Sequence, residues 1–239
     1  MRLAPSQHSS RDFETELREL RAHLLAMGAR CERIVGVAFD GLRQRTPDLM
    51  EAVTALDVQI DHDELDVHAL ILRILALRQP VADDLRFLAT GLRLVTDLER
   101  VGDEAVNIAE RAAEAEGDAK LVLVEELALM ADAARDMLRL ALDAFIRADD
   151  AQAEHVLGCD DHVDRRCAAI ITAMTTWIAE HPGDVRPGLR AIRVAKYLER
   201  IADHATNVAE EAIFMVRGDD VRHGQWRAIQ RVELDAIAK

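Results

Sequence analysis

The sequence predicts an all-α protein built as two similar three-helix bundles side by side, made by internal duplication. Three observations carry that expectation. Apolar residues recur at alternating spacings of three and four, with no strand-like alternation of comparable length. Aromatic residues make up only 3% of a chain that is 50% hydrophobic, so the contacts are mostly aliphatic, as in long packed helices. Finally, "LERVGDEAVNIAE" at Leu98–Glu110 returns 100 residues later as "LERIADHATNVAE" at Leu198–Glu210.

The elements follow in order. Phe13, Leu17, Leu20, Leu24, Met27, Cys31, Ile34 and Ala38 form the seam of a first long helix, which ends near "RTPDL". Pro47 can open the next helix and disfavours helix at Thr46. Val53, Leu56, Ile60, Val67, Ile71 and Ile74 mark a second helix, stopped by "RQP", and a third runs from about Val81 to Glu114. Gly117-Asp118 breaks the chain. Leu123, Leu127, Met130, Ala134, Met137, Ala141 and Phe145 mark the fourth helix, "RADDAQ" interrupts, and a fifth reaches about Glu180. "HPGDVRPG" is the strongest loop signal, after which a sixth helix extends to Val216 and ends at "RGDD". The tail from Val221 to Lys239 has the pattern of a short further helix. The expected units are 1–116, 117–218 and a tail, 219–239.

The net charge of −14 disfavours nucleic acid and anionic lipid as direct partners and suits divalent cations or a basic protein surface. The three cysteines form no metal-type or redox-type pair, which points to a reducing compartment. The start "MRLAPSQHSS" lacks the apolar segment of a secretory signal, and "HALILRILAL" is too short and too interrupted to span a bilayer. The expected location is the cytoplasm, with no direct membrane insertion.

Windows 97–110 and 197–210 share eight of fourteen residues, among them Glu, Arg, Asp and Asn in register. At about 100° per residue, Glu99, Asp103, Asn107 and Glu110 fall on one stripe, which continues toward the N-terminus as Leu85, Leu88 and Leu92. In the second copy Val185 and Ile192 lead into Glu199, Asp203 and Asn207. The opposite side is also apolar, so the acids are expected in a groove or under a neighbouring helix. Bare carboxylates in such a place cost several kcal/mol each, about what arginines, shared protons or metal ions would have to offset. Acids at i and i+4 can hold one cation, and an all-oxygen set suits Mg²⁺, Mn²⁺, Ca²⁺ or carboxylate-bridged iron. The alternative is that Glu99 and Glu199 pair with arginines of adjacent helices.

The second helix of each half adds further acids. Asp57 and Asp61, with Glu64, sit in one cluster, and Asp160 and Asp164, with Asp161, in the other. Asp57/Asp61 and Asp160/Asp164 have the same four-residue spacing and could complete metal sites from a facing helix. His62 and His162 lie 100 residues apart, although a solvated charged face is the plainer reading for them. Arg86, Arg93 and Arg100 recur at seven-residue steps, as do Arg186, Arg193 and Arg200. Each trio is one ridge that salt-bridges to neighbouring helices, supports the acids, or docks an acidic partner.

In "RQPVADDLRFLATGLRLVTDLERVGD" and "YLERIADHATNVAEEAIFMVRG", followed by "DDVRH", the sequence resembles the PhoU family of phosphate-transport accessory proteins. The resemblance covers roughly residues 13–223. It implies a fold of two three-helix bundles. It also implies that Glu99 and Asp103, then Glu199 and Asp203, with Asn107 and Asn207, hold iron, zinc, magnesium or manganese, singly or as a multinuclear cluster. It further implies negative control of the phosphate-starvation response, between a phosphate ABC transporter, through its ATPase, and a membrane sensor histidine kinase. A homodimer is expected. Ala202 stands where the family commonly has Gly, which Gly102 keeps, and Gly224–Lys239 extends past the usual end.

An enzyme is the competing class. Ferritin-like di-iron oxidases pair bundle carboxylates with Glu-x-x-His, and no Glu here is followed by His at i+3. No Gly-rich phosphate loop or nucleophile motif occurs either. The expectation is a non-catalytic, metal-binding regulator of phosphate uptake and signalling. The alternative is a helical scaffold whose acids are satisfied by arginine.

Overall fold

The computed structural model describes residues 7–44, 48–113 and 122–222. The expected helix start at Thr46-Pro47, the break at Gly117-Asp118 and the tail helix beyond Arg222 lie outside the described residues. Among those described there are six helices and no strand: α1 (Gln7–Gln44), α2 (Leu49–Arg78), α3 (Ala82–Ala113), α4 (Val124–Arg147), α5 (Asp150–Glu180) and α6 (Arg186–Arg217).

Each helix follows from its apolar period. In α1, residues from Leu17 through Ala38 of the seam are buried, and only Phe13 at its start is partly exposed. In α2, all six seam residues from Val53 to Ile74 are buried. The "RADDAQ" break is one tight turn. Ala148 adopts a left-handed conformation (φ 54°), and the Asp149 side chain accepts a bond from Gln152 N at 3.0 Å to cap α5. Pro187 lies in the first turn of α6, where a missing N–H costs nothing. Gly218, at φ 78°, donates its N–H to Phe214 O at 2.8 Å and ends the helix.

Helices α1, α2 and α3 pack on one another, as do α4, α5 and α6. The halves join where α3 lies against α6 and α1 against α4. Ion pairs run Arg93–Glu211 and Glu104–Arg200, so rising numbers on α3 meet falling numbers on α6 and the two helices are antiparallel. At Gly28 a Cβ would stand 2.6 Å from Leu142, so the small residue lets α1 and α4 approach closely. One apolar core runs through both halves.

Candidate metal centres

The duplicated helices α3 and α6 each carry two polar ridges, and the structure gives them different neighbours. The ridge holding Glu99 and Asp103 faces α2, and the ridge holding Glu199 and Asp203 faces α5. The ridge about a quarter-turn away faces the other bundle.

In the first half, Asp57, Asp61 and Glu64 of α2 meet Glu99 and Asp103 of α3. Gly102 makes the approach possible: a Cβ there would stand 3.0 Å from Asp57 Oδ1. Burial pushes the Asp57 carboxyl up to about 6, helped by the charges of Asp61 and Asp103. Burial also raises Glu99, with Asp103, Glu64 and Asp61 adding and Arg100 opposing.

In the second half, oxygens of Asp160, Asp164 and Asp203 all lie within 4.8 Å of one another. Asp203 reaches solvent at the mouth of the cluster. The flanking helices still strip enough water, and Asp160, Glu199 and Asp164 add enough repulsion, to push its carboxyl up to about 6. Thr206 Oγ1 donates to Asp160 Oδ1 at 3.2 Å. Ala202 stands where Gly102 does and is buried, so the departure from the family's glycine leaves the acids together. Converging hard oxygens, with the Asp203 carboxyl raised by burial and by its acidic neighbours, are a donor set that fits a divalent cation.

The two centres are not identical. Matched on their acids, Asp57 with Asp160 and Asp61 with Asp164, Glu64 corresponds to Cys167. That thiol is buried and pushed up to about 11, first by burial and then by Glu199. Lys196 forms an ion pair with Glu199, whereas the first half has Thr96 at the equivalent position and no base there. In this register His62 and His162 do not correspond. Both are exposed, and His162 Nε2 accepts from Arg166 Nε at 2.9 Å.

Asn107 and Asn207 stand apart from the acids. Asn107 Nδ2 donates to Glu104 Oε2 at 3.2 Å, and Asn207 Nδ2 donates to Asp97 Oδ1 at 2.9 Å across the bundle boundary. Over eight residues a helix turns by about 80° beyond whole turns, enough to carry the asparagine onto the ridge that faces the other bundle.

The arginine ridges lie largely along that same boundary. Arg93 Nη1 is 3.2 Å from the buried Glu211 Oε1, and its guanidinium lies 5.3 Å from the Phe214 ring centre. Arg200 Nη1 is 3.2 Å from Glu104 Oε1. Arg86 pairs with Asp83 one turn earlier. Arg100 borders a groove with Arg93, Asp97, Glu210, Glu211 and Arg222, and Arg186 and Arg193 line a pocket with Arg190 at the start of α6. Asp97, His204 and Glu211 complete the boundary, with His204 Nδ1 2.9 Å from Asp97 Oδ1. The repeat gave no signal for these three, because their counterparts Tyr197, Glu104 and Arg111 differ in kind.

Comparison with known proteins matches the PhoU domain family twice, at residues 24–112 and 127–212. A phosphate-specific transport system accessory protein PhoU homolog of Pseudomonas putida is 40% identical over 98% of this chain and 92% of its own length. Its namesake in Pseudomonas aeruginosa is 39% identical over 95% of each chain. The crystal structure of PhoU from Pseudomonas aeruginosa superposes with a TM-score of 0.83 at 38% identity, over 87% of this chain and all of that one. The phosphate transport system regulatory protein PhoU from Streptococcus pneumoniae gives a TM-score of 0.81 at 25% identity, over 87% of this chain and 99% of that one. Two matched repeats on two bundles, in the register of the duplicated acids, make this chain a member of the PhoU family.

Proposed function

We propose that the protein is a metal-binding cytoplasmic regulator of phosphate uptake and of the phosphate-starvation response, acting between the ATPase of a phosphate ABC transporter and a sensor histidine kinase. The relatives' printed role, accessory to phosphate-specific transport, supports the physiological part. No helix among the described residues is long and apolar enough to cross a membrane, which suits a partner of membrane proteins rather than one of the spanning components. The single observation that carries the chemical part is the convergence of Asp160, Asp164 and Asp203; in the first half Asp57, Asp61, Glu99 and Asp103 repel one another without bringing three oxygens that close. A cation bound there neutralises the acids and ties α2 to α3 and α5 to α6. The relatives' printed role is accessory to transport, and on this reading the chain positions carboxylates for a cation in a regulatory, non-catalytic role. Iron, zinc, magnesium and manganese all fit the oxygen donors.

The pairing of Lys196 with Glu199 favours the second reading, a scaffold whose acids are met by basic side chains. A chromosomal deletion tests the regulatory role. Phosphate-scavenging genes are expected to switch on in phosphate-rich medium, and the wild-type gene to restore repression. Unchanged repression in a strain with no second copy of the family would contradict it.

A further inference from the structure

The second centre has an inner end whose chemistry differs from that of the first. On α5, Asp160, Asp164 and Cys167 stand at i, i+4 and i+7, on one face of the helix. On α6, Asp203 and Glu199 are one turn apart. The two helices are antiparallel, since Asp150 pairs with Arg217 and Asp160 meets Thr206. Stepping from Asp164 to Cys167 on one helix and from Asp203 to Glu199 on the other therefore moves the same way along the groove. The step ends on a contact, with the Cys167 thiol against the Glu199 carboxylate. Asp164 and Asp203 are exposed, whereas Cys167 is 1% exposed.

Two observations mark this end as a cation position rather than a packed core thiol. Lys196, ion-paired with Glu199, holds its ammonium where it also acts on Cys167 and Asp203, so a positive charge already stands among the three. The duplication supplies the second. In the register fixed by the cluster acids, the buried Val163, Ile170 and Met174 of α5 correspond to the buried Ile60, Val67 and Ile71 of α2. A thiol with only a packing task would likewise correspond to an apolar residue. Cys167 corresponds instead to Glu64, which acts on Glu99 as Cys167 does on Glu199.

Sulfur beside carboxylate suits zinc or ferrous ion, whereas oxygen alone suits magnesium, manganese or calcium. An ion seated there takes the sulfur as thiolate, and the thiol proton leaves to solvent. It also displaces the Lys196 ammonium from Glu199 into the water that this half-exposed side chain already borders.

We propose that Cys167 is a metal ligand, and that with Glu199 it makes the second centre a mixed sulfur–oxygen site selective for zinc-like cations, while the first centre offers oxygen alone. This inference rests on the metal-binding reading above. Cobalt(II), a spectroscopic stand-in for zinc, tests it on the whole protein after chelation. A sulfur-to-cobalt charge-transfer band in the near ultraviolet is expected. Cys167→Ser should abolish the band, and Cys159→Ser should keep it. Cys167→Glu, which copies Glu64, should abolish the band while keeping the bound cobalt. Zinc affinity, measured by competition, should fall at least about tenfold in Cys167→Ser, the loss that removal of even an outer partner brings. Cobalt that binds stoichiometrically without a sulfur band, or with a band that survives Cys167→Ser, would overturn the inference and leave the metal-binding reading standing. A protein that binds no cobalt would overturn both.

Discussion

Glu210 shows how the environment of one residue becomes a pH dependence. Burial beside Glu211 pushes its carboxyl up to about 7 from an ordinary value near 4.5. The folded state therefore holds this proton more tightly than the unfolded chain does. Its penalty is fully present above about pH 7 and fades as pH falls toward the unfolded value, so Glu210 makes the fold gain stability on mild acidification. Glu210→Gln removes the titration. The variant is expected to be more stable than the parent near pH 8, by on the order of 1 kcal/mol after solvent screening, and to converge with it near pH 5. Denaturant midpoints of the two proteins at those pH values check this. At the same scale, the acids that the structure gathers into clusters were legible as a group, because identical Glu and Asp at one spacing recur in both halves. Asn107 and Asn207 turn to Glu104 and Asp97 instead of to the acid clusters, because identity in register does not say which face of the helix a neighbour occupies. Cys167 carries no such signal, since a thiol replacing a carboxylate breaks the residue-type match that marks the others.

At the level of elements, the helices were readable almost to their ends. The seams of α1, α2 and α4 are patterns of period 3.6, and tertiary packing confirms such a pattern instead of overriding it. The ends were legible where punctuation was strong, as at Pro80, Pro187 and Gly218. Which helix faces which was not legible, because α3 and α6 are polar on two ridges and periodicity does not assign ridges to partners. Packing settles it: one ridge meets the second helix of its own bundle, the other meets its duplicate. Arg93 and Glu211 test this assignment. Glu211 is 4% exposed and one of its oxygens, Oε2, has no hydrogen-bond partner. Arg93→Glu would set two carboxylates against each other at a buried contact, and it is expected to cost about 3 kcal/mol or more. For a chain of this length that lowers the melting temperature by roughly 6 °C or more. Arg93→Glu combined with Glu211→Arg should recover most of the loss, as measured by thermal melting. A reversed pair that melts no higher than the single variant would mean the two side chains do not stabilise α3 against α6 directly.

The whole molecule is one antiparallel pairing of duplicated halves, each carrying an acid cluster on the side of α3 or α6 turned away from its duplicate. The bundles are fused along a core and a boundary rich in ion pairs, while the clusters stay open to solvent at Asp61, Asp103, Asp164 and Asp203. Without a cation, burial and the repulsion of neighbouring carboxylates make the acids hold protons more tightly, which raises Asp57 and Asp203 to about 6. A cation present at a hundredfold excess over its dissociation constant stabilises the fold by about 2.7 kcal/mol for each site it fills. The most direct measurement is the metal content of the purified protein, by elemental analysis with matched melting curves before and after chelation. Stoichiometric metal in the wild type is expected, with about half lost in Asp103→Ala, about half in Asp203→Ala and nearly all in the double variant, and with chelation lowering the melting temperature of the wild type but not of the double variant. A wild type that carries no stoichiometric metal and melts unchanged in chelator would contradict the account.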